Sequence, residues 1–545
     1  MAEAQGSQDA AAESVGAFDY VIVGAGSAGC VLANRLSADP ARRVLLMEAG
    51  GDDRLFWVHV PVGYLYTQGK ARTDWCLRTE PEAGLGGRAL NYPRGRLLGG
   101  SSAINGMIYM RGQAADYDGW RQTGLTGWGW DDVLPLFLRS EDHHGGDGPL
   151  HGKGGPLRVE RQRLHWPILE AFREAAAECG IPKTDDFNTG DNFGGGYFEV
   201  NQKAGLRWSA ARGFLAPVMK RPNLTVITGA QAERLILEDG RATGVLFRRG
   251  ERLERAEARG EVIVAAGSIG SPHLLQLSGI GPGAALKANG VEVAVDAPGV
   301  GANLQDHLQI RTVYKVEGRH TLNSRAASLW GKAMIGLEYA ARRTGPMSMA
   351  PSQLGVFARS DDRQATANLE YHVQPLSLDA FGQPLHPFDA FTASVCNLRP
   401  LSRGEVMLKG PDPRAAPAIR PNYLSDLADR AVALEAVALT RRICAAPALA
   451  AFSPVEHLPG PEVTGDAEML AAIGRIATTI FHPVGTCRMG VDQGSVVDGA
   501  LRVRGVAGLR VADASVMPTI TSGNTHAPTV MIAEKAAEMI LEAGR

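Results

Sequence analysis

The chain has 545 residues, of which 45% are hydrophobic and 21% charged, with a formal net charge of −2. That length exceeds what one hydrophobic core serves, so two domains or one interleaved pair are expected. The near-neutral balance gives no electrostatic footprint for nucleic acid or an anionic membrane, which leaves small-molecule partners.

Six cysteines without CxxC spacing point to reduced thiols in a cytoplasmic setting and to no metal site. No apolar run of about twenty residues could span a bilayer. The 66 glycines stand well above the roughly 7% average, as many tight turns around a large ligand would require.

In chain order, residues 1–17 lack a basic n-region and an apolar h-region and read as a disordered tail, not a signal peptide. Asp19 to Val23 reads as a strand, Gly24 to Gly29 as a turn, Ser27 to Leu36 as a helix and Arg43 to Met47 as a second strand ending at Glu48. A Gly- and aromatic-rich stretch to about Arg121 suits backbone wrapped around a ligand. Pro167 to Cys179 has helical periodicity, and Leu224 to Ile227, Gly244 to Phe247 and Glu261 to Ala265 read as strands. Leu369 to Val373 and Gly404 to Leu408 are further strands, Asp429 to Ala445 a helix, Leu509 to Ala512 a strand and Pro528 to Leu541 a closing amphipathic helix. No internal repeat interrupts this order.

DYVIVGAGSAGCVLANRL sets Gly24, Gly26 and Gly29 at a strand-to-helix turn, where backbone N–H groups and the helix N-terminus can meet a pyrophosphate. Glu48, ending the next strand, can accept hydrogen bonds from a ribose. Strand, turn, helix, strand and acid together make a dinucleotide site, without separating NAD from FAD.

The blocks GRLLGGSSAINGMIYMRG (Gly95 to Gly112), GSIGSPHLLQLSGIG (Gly267 to Gly281), HPVGTCRMG (from His482) and VADASVMP (from Val511) are what separate them. With the glycine turn, they resemble the glucose-methanol-choline (GMC) family of FAD-dependent oxidoreductases over nearly the whole chain. The resemblance implies a mixed α/β and α+β fold. A Rossmann-like FAD-binding domain (residues 18–160, 223–313 and 491–545) would interleave with a substrate-binding domain on an antiparallel sheet with helices (residues 161–222 and 314–490).

By the same resemblance, FAD would be held by Gly24, Gly26, Ser27, Ala28, Gly29, Glu48 and Ala49 at the turn, and by Arg96, Gly99, Gly100, Ser101, Asn105, Gly106 and Met107 in the second block. Ala232 would lie at the adenine and Trp75 near the flavin, while Ala266, Gly267, Asp513, Ala514, Asn524 and Thr525 complete the set. Members with a histidyl-linked flavin carry His where this chain has Ile104, which implies non-covalent FAD.

His482 and His526 occupy the family's two catalytic positions. An alcohol, with a pKa of roughly 15.7, does not surrender its proton to an imidazole near 6.5 unaided. Coupled to departure of the carbinol hydride to flavin N5, the hydroxyl becomes acidic enough for His482 to act as base. His526 would donate to the substrate oxygen, and Asn524 would support the loop or touch the flavin.

The expected activity is oxidation of a neutral alcohol to an aldehyde or ketone, with reoxidation by O2, a quinone or a redox protein. A flavin-dependent lyase or photodecarboxylase and a choline dehydrogenase are the alternatives. Gln353, standing where choline-oxidising members place a Glu, argues against choline, and retention of His482 argues against the photodecarboxylase. Tyr371, His372, Gln374 and Asn397 are candidate pocket residues, and Arg399 reads as a structural ion pair.

Overall fold

The computed structural model describes residues 12–318, 321–380 and 382–544. The chain opens with strand β1 (Glu13–Val23), helix α1 (Ser27–Leu36) and strand β2 (Val44–Glu48). β1 begins inside the stretch expected to be a tail: Glu13 and Ser14 pair with Glu254 and Arg255, so backbone hydrogen bonding orders residues whose side chains carry no apolar pattern. The rest of that expectation, residues 1–11, lies outside the described residues.

Helix α2 (Pro167–Glu178) precedes β3 (Leu224–Thr228), β4 (Ala230–Glu238), β5 (Arg241–Arg249), β6 (Arg252–Val264) and helix α3 (Gly267–Leu277). Then come β7 (Leu308–Lys315), helix α4 (Leu329–Arg342), β8 (Leu354–Ala358), β9 (Leu369–Gln374), β10 (Ala390–Asn397), helix α5 (Leu427–Cys444), β11 (Leu509–Val511) and helix α6 (His526–Ala543).

The first sheet runs β4-β5-β6-β1-β2-β3, with β11 added on β6. Its centre is parallel and buried: β2 (VLLME), apolar up to its closing Glu48, is buried at every position, as a strand covered on both faces must be. α1 and α6 pack on it, pinned where Arg35 and Arg139 both pair with the buried Glu534.

The second sheet is antiparallel and includes β7-β10-β9-β8. Leu369, Tyr371 and Val373 of β9 join its core with α2 and α5, and the Tyr371 hydroxyl meets Ala436 O and Thr440 Oγ1 on α5. Side chains alternate along a strand, so Glu370, His372 and Gln374 turn to the opposite face.

Both sheets are assembled from separated stretches, as the interleaved reading expects. Two of the expected borders run through strands. β7 pairs wholly within the second sheet, so a border at 313 cuts a strand, and the strand Leu157–Arg161 likewise crosses the border at 160.

Candidate active site

A cavity of about 420 Å³ lies between the two sheets. One end is the turn between β1 and α1. Gly24 has φ +103, and a Cβ there would lie 2.6 Å from Ala265 O, so the turn is pressed against the end of β6. A Cβ on Gly100 would come 2.6 Å from Gly26 Cα, which brings the Gly95 to Gly112 block onto the turn. Gly267, at φ +77, has nothing within 4 Å of its Cβ position and leaves open space on the cavity wall.

Glu48 accepts hydrogen bonds from Ala25 N (3.0 Å) and Gly50 N (2.8 Å), and burial raises its pKa to about 7. Asp513 accepts from Gly267 N (2.8 Å), Ser271 Oγ (2.5 Å) and Ser515 N (2.8 Å), fixing the start of α3. The glycine cradle, the two acids and the buried, partnerless His526 Nε2 and Asn524 Oδ1 make this wall a fit for a large polar cofactor such as FAD.

At the other end stands His482. Its backbone N–H donates to Asp306 Oδ1 (2.8 Å), while Asp306 Oδ2 takes the hydroxyls of Tyr92, Tyr423 and Thr479. The preceding residue, Phe481, holds φ +71, a conformation that costs a bulky residue energy; Arg94 Nη2 secures its carbonyl at 2.8 Å.

The His482 imidazole sits between two partners: Nδ1 is 3.1 Å from His307 Nδ1, and Nε2 is 3.0 Å from Asn524 Nδ2. His307 Nε2 lies 3.1 Å from Leu398 O, and a carbonyl only accepts, so this nitrogen carries the proton. Burial pushes both pKa values below the ordinary histidine range, His482 far below, with His307, His372 and Arg94 adding to the shift at His482. Both rings are therefore neutral at pH 7. His307 then has a lone pair at Nδ1, His482 donates to it from Nδ1, and the lone pair of His482 Nε2 faces Asn524 and the cavity.

Most of the expected cofactor residues come together here. Gly24, Gly26, Ser27, Ala28, Glu48, Ala49, Trp75, Gly100, Ser101, Asn105, Gly106, Met107, Ala232, Ala266, Gly267, Asp513, Ala514, Asn524 and Thr525 all line the cavity. Three do not. Gly29 packs under the turn, where a Cβ would meet Gly24 O at 1.8 Å; Gly99 donates its N–H to Ala25 O; and the Arg96 guanidinium stacks 4.8 Å over the Trp75 ring.

The second catalytic position also differs from expectation. His526 opens α6, and its Nδ1 lies 3.0 Å from Ser27 Oγ at the glycine turn. A side chain in the first helical turn leans back towards the N-terminus, and here that direction leads to Ser27. Asn524, two residues earlier, is the group beside His482.

His372 and Gln374 line the cavity, whereas Tyr371 faces α5 and Asn397 Nδ2 bonds Asp429. Gln353 is also turned away, its Nε2 on Ala350 O, so it does not read the substrate's charge; Gln309, on β7, faces the cavity instead. Arg399 holds Gln113 and Asp116, a structural role.

Sequence reading missed His307 and Asp306. Their segment, NLQDH, has no spacing rule that marks a ligand, and they reach His482 through pairing that brings residues 305–309 against Thr478, Thr479 and Val484.

Residues 18–309 match the N-terminal family model and residues 400–533 the C-terminal family model described as GMC oxidoreductase. The chain belongs to the GMC oxidoreductases. FAD as cofactor and a CH–OH group as electron donor come with that membership. The chain is 42% identical over 528 residues to the alcohol dehydrogenase [acceptor] of Pseudomonas putida, covering 96% of each. It is 42% identical over 525 residues to the oxygen-dependent choline dehydrogenase of Brucella anthropi, covering 96% of this chain and 95% of the relative. Among solved structures, pyridoxine 4-oxidase from Mesorbium loti superposes with a TM-score of 0.87 at 35% identity, covering 96% of this GMC chain and 98% of the other. No helix among the described residues is long and apolar enough to cross a membrane.

Proposed function

We propose that this GMC oxidoreductase oxidises a neutral alcohol, with His482 as the base and Asn524 as its partner at the substrate oxygen. The observation that carries the reading is the pairing of a lone pair at His482 Nε2 with an N–H donor of Asn524 3.0 Å away. An alcohol oxygen needs an acceptor for its proton and a donor for its lone pairs, and the two groups supply one each. His307 is a positioning residue: it holds His482 in the tautomer whose Nε2 can accept. A base so placed contributes roughly 10²–10⁴-fold in rate.

Gly24, Gly26, Ser27, Glu48, Gly100, Ser101, Gly267 and Ala514 would hold FAD. Bound, it supplies the two-electron acceptor for the carbinol carbon. Ile104, on the cavity wall, offers no nucleophile for a covalent link. Burial pushes the pKa of His526 down to about 4, so it stays neutral, and its partnerless Nε2 suits a contact on the cofactor side.

The names of the relatives favour choline as a second reading. Against it, the carboxylates among the described lining residues are Glu48 and Asp513, each already engaged by backbone amides, while Gln309, Gln374 and Asn524 offer neutral polar groups. A quaternary ammonium finds no free carboxylate on that wall. The six cysteines are free, which supports a reducing, cytoplasmic compartment. The acceptor, whether O2, quinone or redox protein, is a separate question, answered by comparing H2O2 release with dye or quinone reduction.

The test is anaerobic mixing of the holoenzyme with primary aliphatic alcohols, aryl alcohols and choline while flavin absorbance is followed. A neutral alcohol should bleach the flavin fastest, and His482→Ala should slow bleaching about 10²–10⁴-fold with flavin retained. Bleaching by choline ahead of every neutral alcohol, or an unimpaired His482→Ala, overturns the reading.

A further inference from the structure

Helix α4 carries its apolar residues on the wrong side for a soluble surface. Ile335 and Tyr339 are its buried positions, yet Leu329 is 85% exposed, Trp330 74%, Leu337 61% and Met334 43%. These four are a third of the twelve large apolar side chains that stand exposed among the described residues. With 3.6 residues per turn, Leu329, Ala333 and Leu337 form one row and Trp330, Met334 and Ala341 the adjacent one. The two rows make one continuous stripe opposite the buried pair. Lys332, Glu338 and Arg342 lie beside the buried face, the reverse of an ordinary surface helix.

The charges at its border are unbalanced. Glu338 is taken by Arg325 at 2.6 Å, whereas Lys332, Arg342 and Arg343 have no carboxylate in ion-pair distance among the described residues. The stripe also has a fixed relation to the active site. After α4 the chain runs through Pro346–Ser348 to Pro351 and Ser352 on the cavity wall. The turn Pro61–Gly63 packs on Pro346–Ser348, between Phe56 (60% exposed) on one side and Tyr66 (51% exposed) on the other. That same segment supplies Tyr64 and Gln68 to the cavity.

We infer that the exposed face of α4 docks this enzyme on the surface of an anionic phospholipid bilayer, beside the segments that wall the cavity. A large apolar stripe containing Trp, rimmed by cations and too short to span, is the combination that binds in the interface plane. A second copy of the chain would meet the same unpaired cations with like charge. The whole-chain charge of −2 hides the patch, because the excess of cations is confined to one helix and its cap.

The experiment is flotation of the flavin-loaded enzyme with vesicles of phosphatidylglycerol and phosphatidylethanolamine, and in parallel with pure phosphatidylcholine vesicles. Two multiple variants accompany the wild type: Leu329→Gln with Trp330→Gln and Leu337→Gln, and Lys332→Glu with Arg342→Glu. Flavin absorbance and thermal midpoint check that each variant is folded. The wild type should float with the anionic vesicles, and each variant should lose binding about tenfold or more. Binding should weaken on neutral vesicles and at high salt. Absence of wild-type flotation at low salt, or variants that float equally well, overturns the proposal. So does a wild type that is dimeric by light scattering and becomes monomeric in the first variant, which would assign the stripe to a second copy.

Discussion

Replacing His307 with Leu removes the acceptor that His482 Nδ1–H uses at 3.1 Å, together with the link to Leu398 O. His482 is buried, so its stranded N–H costs about 1–3 kcal/mol, and that penalty can be relieved only by shifting the proton to Nε2. A proton at Nε2 removes the lone pair that the proposed base needs. The fraction of enzyme in the productive tautomer should fall accordingly, which corresponds to roughly a 5- to 150-fold loss in kcat with little change in KM. His307→Gln is the control, because its amide can accept from His482 with Oε1 and donate to Leu398 with Nε2. Single-turnover flavin bleaching against alcohol concentration reads kcat and KM separately, and ¹⁵N chemical shifts of labelled histidine report the tautomer directly. A His307→Leu enzyme that keeps its flavin and reacts within about twofold of wild type refutes the tautomer argument. So would a Gln variant as impaired as the Leu variant.

The pH profile follows from the same burial. The pKa of His482 lies well below 6.5 in the folded enzyme, so it remains a base as pH falls past the value of a free imidazole. Thus kcat/KM should stay level from pH 8 through 6.5 and decline only in the more acidic range; a half-titration near 6.5 that disappears in His482→Ala would contradict this. Asn524→Ala should lower kcat about tenfold with flavin retained, whereas His526→Ala should mainly weaken flavin retention after gel filtration, and the reverse pattern would restore His526 to the substrate. The carboxyl of Glu48, with its pKa raised to about 7, accepts ribose hydroxyls fully only when ionised. FAD affinity of the apoprotein, followed by flavin fluorescence quenching, should therefore rise through neutral pH and become flat in Glu48→Gln; an unchanged pH dependence in the variant argues against the contact.

The cofactor end of this enzyme was legible in the sequence because its determinants are local. Gly24 holds φ +103 in the turn and a Cβ on Gly29 would meet Gly24 O at 1.8 Å, both set within one strand-turn-helix unit, and Glu48 ends the strand that pairs directly with β1. A linear pattern can encode such a unit, and the family blocks extend it to the rest of the cradle. The substrate end was only partly legible. His482 could be chosen from its block, but between Asn524 and His526 the sequence offers two polar residues two positions apart. Only the start of α6 and the position of Ser27 decide which one faces His482. The proton order in His482 is set from further away still, by the Leu398 carbonyl acting through His307, residues 84 and 175 positions distant from it in the chain. The same holds for β9, where pairing with β8 and β10 decides that His372 rather than Tyr371 looks into the cavity. What the sequence determined by itself is the turn that binds a dinucleotide and the residue types for alcohol oxidation. The tertiary structure alone decided which of those residues meet, because hydrogen-bond partners are chosen by three-dimensional proximity and no local pattern encodes a contact across sheets.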